Sequence, residues 1–366
     1  MRISYILDTF RGGGKERRCL QVIQGLNKAG VTDVQVIIIN DEVAYKELYD
    51  TSAKIEIIDR KNKGLNQIQT ARVLRNLLKQ FQPDVIQAWG LMSAGVVLLA
   101  KPFLKSRFIA SYVADVITPK GVNKVINKVC NIVCDKIVSN SKAGLVAYGT
   151  PASKGVVIYN GFNESRFKNK IDKSTKKRDL NITTKYVVAM VATFWQTKDW
   201  QCYIDAAKMM IKQRQDITFL AVGKGPQWEY YNNQISDEER VFIKMLGRRD
   251  DVDELYQICN LTVLCSHYGE GVSNSIMESM AWGKPVIATN CGGTLELIHD
   301  NVNGKLIDIQ TPERVADLIT ELIDNPVNLF NFGQAAAKTV QDGFLLDRMT
   351  KDYLGLYNIH YNEYKK

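Results

Sequence analysis

Residues 261–306 read LTVLCSHYGEGVSNSIMESMAWGKPVIATNCGGTLELIHDNVNGKL, and this stretch decides the fold. Leu261 to Cys265 is a short apolar run of the kind a buried strand needs. A polar loop with Gly269, Glu270 and Gly271 follows. Ser273 or Asn274 then caps a helix whose apolar side carries Ile276, Met277, Met280 and Ala281. Gly283-Lys284-Pro285 ends that helix, because glycine tolerates the C-terminal turn and proline cannot continue it. Val286 to Thr289 is a second buried strand, and Gly292-Gly293 opens a further helix at Leu295-Glu296. The unit is strand–helix–strand from a parallel sheet, with glycine-rich loops at the strand ends where ligands collect in such folds.

Glu270 lies in the loop and Glu278 in the helix, with seven residues between them. The helix N-terminus between the two acids presents backbone N–H groups and a partial positive charge, which suits a phosphate. The candidate ligand contacts are Glu270, Gly271, Val272, Ser273, Asn274 and Glu278. A nucleotide-sugar has the matching layout of sugar, diphosphate and ribose. The alternative is a solvated loop glutamate and an ordinary helix-surface glutamate.

The string EGVSNSIMESMAWGKPVIAT followed by NCGGTLELI resembles the donor-site signature of retaining glycosyltransferases with two Rossmann-like domains, and within them glycosyltransferase family 4. The matching pieces are Glu270-x7-Glu278, Ala281-x-Gly283-x-Pro285-Val286 and Gly292-Gly293-x-x-Glu296. The resemblance implies an α/β protein with two doubly wound, Rossmann-like domains facing across a cleft, the GT-B fold. It implies that Glu270 orients the donor sugar and Glu278 holds the ribose. It implies no cofactor and no metal, and a nucleotide-sugar substrate, with UDP-sugar favoured over GDP-sugar.

At 366 residues the length suggests two domains. Hydrophobic content of 45% and charged content of 24% are ordinary for globular chains. No run approaches the length that crosses a bilayer, and Ile3 to Leu7 is too short for a secretory signal core. Seven cysteines without metal-ligand spacing read as reduced thiols in a cytoplasmic protein. Residues 1–180 hold 30 Lys+Arg and 15 Asp+Glu, a net +15, whereas 181–366 hold 18 and 24, a net −6. A basic first half calls for an anionic partner. No helix-turn-helix, zinc-finger or RNA-recognition signature points to nucleic acid. An anionic membrane surface and a glycan or lipid-linked sugar acceptor are the expected partners, with the protein peripheral on the inner face of the cell membrane.

The first half opens with a strand to Leu7, a glycine loop, a helix carrying Leu20, Val22, Ile23 and Leu26, and a strand at Val34 to Ile39. The loop lacks the G-x-G-x-x-G spacing of a dinucleotide site. Gly13-Gly14-x-Glu16 resembles the first loop of family 4, where the glycines let the backbone approach the donor diphosphate. Lys15, Gln87 and Asp115 are the acceptor-side candidates. Pro83 to Trp89 resembles the family's "PDVIHAH" strand end. The histidine many relatives carry near the end of a central strand is absent, since the only histidines are His267, His299 and His360. Gln67 to Phe81 reads as an amphipathic helix with Ile68, Ala71, Leu74, Leu78 and Phe81 inward. Lys120 to Cys134 reads as a basic helix, with Lys120, Lys124 and Lys128 on one face, while Val122, Val125, Ile126 and Val129 can point into the domain or the interface.

The expected domains are 1–167, a lysine-rich linker at 168–180, 181–344, and a terminal helix at 345–366 that returns to the first domain. Family 4 places an arginine and, five residues on, a lysine after the first strand of the second domain to neutralise the diphosphate. Here Lys198 matches the lysine, and Thr193 stands at the arginine position. Gly223-Lys224-Gly225-Pro226 resembles the family's GxGP turn, and Arg248 after Gly247 is a further donor-side candidate. Asp251-x-Asp253 has the form of a metal-binding D-x-D but precedes a helix, so capping is expected there rather than metal. Lys198 and Glu270 are the catalytic candidates. The chain is therefore expected to transfer a hexose-type sugar with retention, in surface polysaccharide or lipid-linked glycan assembly. The competing readings are a nucleotide-sugar epimerase of the same fold and a catalytically weak scaffold. Acceptor-dependent UDP release separates transferase from epimerase, and donor hydrolysis or donor-dependent thermal stabilisation separates enzyme from scaffold.

Overall fold

The computed structural model describes residues 1–102, 104–113 and 115–358, with the side chain of Asp115 excepted. The chain forms two compact units, 1–161 with 346–366 and 162–345. The first is built on a seven-stranded sheet. Its strands are β1 (Ile3–Leu7), β2 (Val34–Ile38), β3 (Lys54–Ile57), β4 (Val85–Trp89), β5 (Arg107–Tyr112), β6 (Lys136–Ser139) and β7 (Gly155–Val157). Their order is β3-β2-β1-β4-β5-β6-β7, and every pairing is parallel. Buried strand residues alternate between two apolar clusters: Ile3, Tyr5 and Leu7 enter one and Ile6 the other. That is the period-2 alternation of a sheet covered on both faces.

The second unit repeats the plan with β8 (Tyr186–Val191), β9 (Ile217–Val222), β10 (Ile243–Gly247), β11 (Leu261–Leu264), β12 (Val286–Thr289) and β13 (Gly304–Ile307). The order is β10-β9-β8-β11-β12-β13, again all parallel. Both sheets thus begin with the 3-2-1-4-5-6 order of a doubly wound fold. In each, the strand order reverses beside the first strand, which makes the crevice at the strand C-termini a ligand site. In the second unit this crevice lies between the ends of β8 and β11.

The helix Leu346–Tyr357 belongs to the first unit. Met349, Tyr353, Leu354 and Tyr357 join the apolar cluster of the helix Gly14–Lys28. Two arginines fix the points where the chain leaves and re-enters this unit. Arg18 donates to the Asn160 side chain at 2.8 Å, and Arg348 donates to the carbonyls of Tyr159 and Asn160 at 3.1 and 3.0 Å.

Several expectations need correction. The lysine-rich stretch 168–180 contains a helix, Lys173–Asp179, within the second unit, where Lys176 pairs with Asp251 and Glu254. Counted by unit, the charge is 27 basic against 15 acidic residues, +12, for the first and 21 against 24, −3, for the second. The asymmetry keeps its sign but shrinks, because the lysines of 168–177 lie in the second unit. Of the two places open to the valines of the helix Gly121–Val133, the outward one is taken: Val122 is 75% exposed, Val125 61% and Ile132 75%, while only Asn127 and Cys130 are buried. Ile68 is likewise exposed on the helix Gln67–Phe81. Gly292–Glu296 is a 3₁₀ turn rather than the start of an α-helix. The strand Gly304–Ile307 and the helix Pro326–Gly343 carried no expectation. The end of the chain beyond residue 358, expected as part of the terminal helix and including His360, lies outside the described residues.

Candidate functional site

The loops after β8 and β11 are stitched together at the crevice of the second unit. His267 N–H donates to the Thr197 carbonyl at 3.0 Å, and Asp199 N–H to the Cys265 carbonyl at 3.1 Å. Asp199 also caps the helix Trp200–Gln213 through Cys202 N–H at 3.0 Å, which fixes where that helix starts. Behind it the Trp200 ring stacks on Phe194 at 3.8 Å. Lys198, one residue before the cap, is thereby aimed across the crevice. Its ammonium forms an ion pair with Glu270, whose carboxylate also accepts a hydrogen bond from the Ser266 hydroxyl at 2.6 Å. Glu270 is 6% exposed, so the pair lies where charge interactions are poorly screened. The neighbouring Cys265 thiol is pushed well above its ordinary range by its contact with Cys202 and by burial, which leaves it unreactive.

The paired glycines explain themselves in space. Gly292 has φ +54°, and a Cβ there would come within 2.0 Å of the Glu270 carbonyl oxygen. A Cβ on Gly293 would meet the Gly271 carbonyl carbon at 2.6 Å and the Val272 nitrogen at 2.8 Å. Only residues without a Cβ let this loop press against the backbone at 270–272 and hold it. The helix Asn274–Ala281 then begins at Ser273, whose hydroxyl meets Ser275 Oγ at 3.1 Å instead of capping the helix.

Glu278, on the buried side of that helix, has a partner that left no signal in the sequence. Arg166 Nη1 donates to Glu278 at 2.8 Å. The same guanidinium binds Asp253 through two parallel bonds of 2.8 and 2.6 Å, while Trp282 Nε1 donates to Asp253 at 2.9 Å. Burial works against the Arg166 charge, but Glu278 and Asp253 outweigh it and its pKa is raised. Asp251 faces Arg249 and Lys176. Both acids of the D-x-D are therefore occupied by cations of the chain. Among the described residues no cluster of three or more metal-ligating side chains occurs.

The other candidates are placed as follows. Arg248 projects outward, its side chain 70% exposed, with Asp250 3.9 Å away. Thr193 is exposed, and its carbonyl accepts from Trp200 Nε1 at 3.0 Å. In the first unit Gly13 precedes the helix Gly14–Lys28, and a Cβ on it would lie 2.5 Å from a Glu16 carboxylate oxygen. Lys15 pairs with Asp8 and, at 3.2 Å, with Glu16. Burial alone would lower its pKa, yet the two carboxylates raise it. Gln87 is fully buried: its amide nitrogen donates to Ser111 Oγ at 2.6 Å, and its oxygen accepts from Tyr357. It tethers the terminal helix to the sheet, and burial keeps its side chain from solvent. Asp115 lies outside the residues whose side chains are described.

Comparison with known proteins bears on the family and the fold. A Glycosyltransferase Family 4 model matches residues 12–166, and a Glycosyl transferases group 1 model matches 172–339. An uncharacterized glycosyltransferase of Methanocaldococcus jannaschii is 31% identical over 175 residues, 47% of this chain and 45% of that one. The N,N'-diacetylbacillosaminyl-diphospho-undecaprenol alpha-1,3-N-acetylgalactosaminyltransferase of Campylobacter jejuni is 28% identical over 210 residues, 54% of this chain and 52% of that one. The aligned stretches span about half the length of these curated relatives. The crystal structure of Anabaena HepE in complex with UDP-glucose superposes with a TM-score of 0.86 at 22% identity, covering 98% of this chain and 100% of that one.

Proposed function

The chain belongs to the glycosyltransferases of GT-B fold that resemble family 4, and from that premise we propose that it moves a hexose-type sugar from UDP to an acceptor hydroxyl with retention at the anomeric carbon. The observation that carries the reading is the buried Lys198–Glu270 pair, held by Ser266 at the point where the second sheet reverses its strand order. The bond from the sugar C1 to the β-phosphate oxygen breaks, and a bond from C1 to the acceptor oxygen forms on the same face. The acceptor proton passes to the departing phosphate. Lys198 meets the negative charge that grows on the diphosphate, and a positioned cation in a poorly solvated site stabilises that charge well. Glu270, released from part of its bond to Lys198, orients the sugar hydroxyls. Glu278, held by Arg166, accepts hydrogen bonds from the ribose.

The UDP and UDP-glucose complexes of one neighbour, HepE, support the choice of nucleotide. The undecaprenol-linked substrate in the name of the Campylobacter jejuni relative supports a lipid-linked acceptor in surface-glycan assembly. Among the described residues no helix is long and apolar enough to cross a membrane. The exposed valines and lysines of the helix Gly121–Val133 favour docking of the first unit on an anionic bilayer. The experiment is UDP release from a panel of UDP-sugars with and without a diphospho-polyprenol acceptor, with the product's anomeric coupling read by NMR. Inverted configuration, or UDP release that ignores the acceptor, overturns the proposal.

A further inference from the structure

The sequence motif Gly283-Lys284-Pro285 ends a helix, and that role accounts for the glycine and the proline but not for the lysine. Lys284 lies on the wall of a cavity of about 350 Å³ that Lys173, Lys177 and Lys185 also line, together with Gln257 and Cys259. This size falls at the lower end of small-ligand pockets, about 300–1,000 Å³. No carboxylate lines it. The contrast with the neighbouring lysine is direct: on the same helix, Lys176 turns to Asp251 and Glu254 and is neutralised there. Lys173 and Lys177, four residues apart and so on one helix face, line the same cavity as Lys284 instead.

Lys185 is exposed, and its ammonium lies over the Tyr186 ring at 4.8 Å, which raises its pKa, but the protein supplies Lys284 and Lys177 with little compensation. Lys284 Nζ has a carbonyl contact of 3.4 Å with Gln257, and Lys177 Nζ donates to the carbonyls of Thr184 and Lys185 at 3.2 and 3.0 Å. Burial and then Lys173 lower the Lys284 pKa to about 8, and burial also lowers that of Lys177. Burial holds the Cys259 thiol up at about 12, so it stays neutral and provides no counter-anion near pH 7. Converging like charges without an anion cost stability, and an arriving anion reverses that cost.

The place is separate from the sugar-donor crevice. Lys185, Asn260 and Lys284 immediately precede or lie within two residues of the first residues of β8, β11 and β12, whereas Lys198, Glu270 and Gly292 follow the ends of the same three strands. The strands are parallel, so the cavity opens at the opposite edge of the sheet. We propose that this four-lysine cavity is a second anion site, which binds a phosphate group carried either by a soluble phosphate compound or by a lipid headgroup.

The test uses the whole chain with excess UDP present, so that any diphosphate site in the crevice is filled. Calorimetry with pyrophosphate is expected to show one further site. Binding should weaken at least tenfold in the double variant Lys177→Gln/Lys284→Gln and persist in Lys284→Arg, while UDP affinity is unchanged in both. On the unmutated protein, pyrophosphate should protect Lys284 from acetic anhydride at pH 8, read by mass spectrometry, which does not depend on a variant that folds. Vesicles of phosphatidylglycerol that compete with pyrophosphate assign the headgroup, and vesicles that do not compete assign the soluble phosphate. Absence of both the second site and the protection, or binding undiminished in the double variant, overturns the proposal and leaves the donor reading intact.

Discussion

Arg166 Nη1 lies 2.8 Å from the buried Glu278 carboxylate and is the hinge of a half-buried cluster that also contains Asp253. The two acids come from different helices, and only a planar guanidinium with donors on two edges bonds both at once. Arg166→Met therefore leaves two carboxylates facing one another with no cation between them. Breaking a buried pair in this way costs about 3–5 kcal/mol. Urea unfolding should show the loss, and Arg166→Lys should recover little of it. An Arg166→Met protein as stable as the parent would remove the cluster from the account of this unit.

Glu278→Ala separates ligand binding from folding. The variant leaves Arg166 its two bonds to Asp253, so the unit should survive. Free UDP should bind more weakly by about 1–3 kcal/mol, the worth of a lost acceptor for buried hydroxyls. Calorimetry that finds unchanged UDP affinity rejects the ribose role.

Lys198→Ala should lower kcat more than it raises the donor KM, because negative charge on the leaving diphosphate is largest in the transition state. A rise in KM alone would make Lys198 a clamp for the bound donor. Thr193→Arg restores the cation at the family position, and a gain in turnover is expected. Activity should also survive EDTA, since Asp251 and Asp253 are already paired with cations of the chain. Activity lost to EDTA and restored by manganese would return those acids to consideration.

Lys284 gives a pH signature. Its folded-state pKa of about 8 lies below the unfolded value of 10.5. Between these values the unfolded chain holds a proton that the folded chain has released, so stability attributable to this group rises with pH across the window. Below pH 8 the buried charge is a full penalty, at most roughly 3 kcal/mol. In a buffer free of phosphate, Lys284→Gln should be more stable than the parent at pH 7, and its advantage should shrink by pH 10. A difference that is constant from pH 7 to 10 would show that Lys284 titrates normally.

The parts that could be read from sequence were those encoded locally. Leu261 to Thr289 has two apolar runs around one helical period, and glycines at its turns, so strand, helix and strand all emerged with nearly the right ends. The acids at 270 and 278 could be singled out because family 4 fixes their spacing, and both side chains are buried. Arg166 was not, since its partners lie 87 and 112 residues away and only tertiary packing brings them together. Gln87, offered as a residue to fill the place of the missing histidine, instead bonds Ser111 of the next strand and Tyr357 of the terminal helix, 270 residues away. The helix Pro326–Gly343 buries only Gly333, Ala336 and Val340 and leaves Phe330 exposed, so its apolar stripe is too thin to stand out.

The valines of the helix Gly121–Val133 support a last prediction. A helix that served only the core would bury them, yet Val122, Val125, Val129, Ile132 and Val133 are all exposed. Lys120, Lys124 and Lys128 repeat every four residues and share a face beside them. Apolar side chains flanked by lysines suit the interface of an anionic bilayer, where each basic residue contributes about 1 kcal/mol that fades beyond a Debye length. The first unit, at +12, adds a field of the same sign. Flotation with liposomes should therefore rise with phosphatidylglycerol content and fall with salt. Replacing the three lysines with glutamine should remove the salt-sensitive part, and Val122→Ser with Ile132→Ser should weaken what remains at high salt. The same substitutions should leave UDP affinity unchanged, because they lie in the other unit from Lys198 and Glu278. Equal recovery with neutral and anionic liposomes would take the membrane out of this protein's function and would leave its donor site untouched.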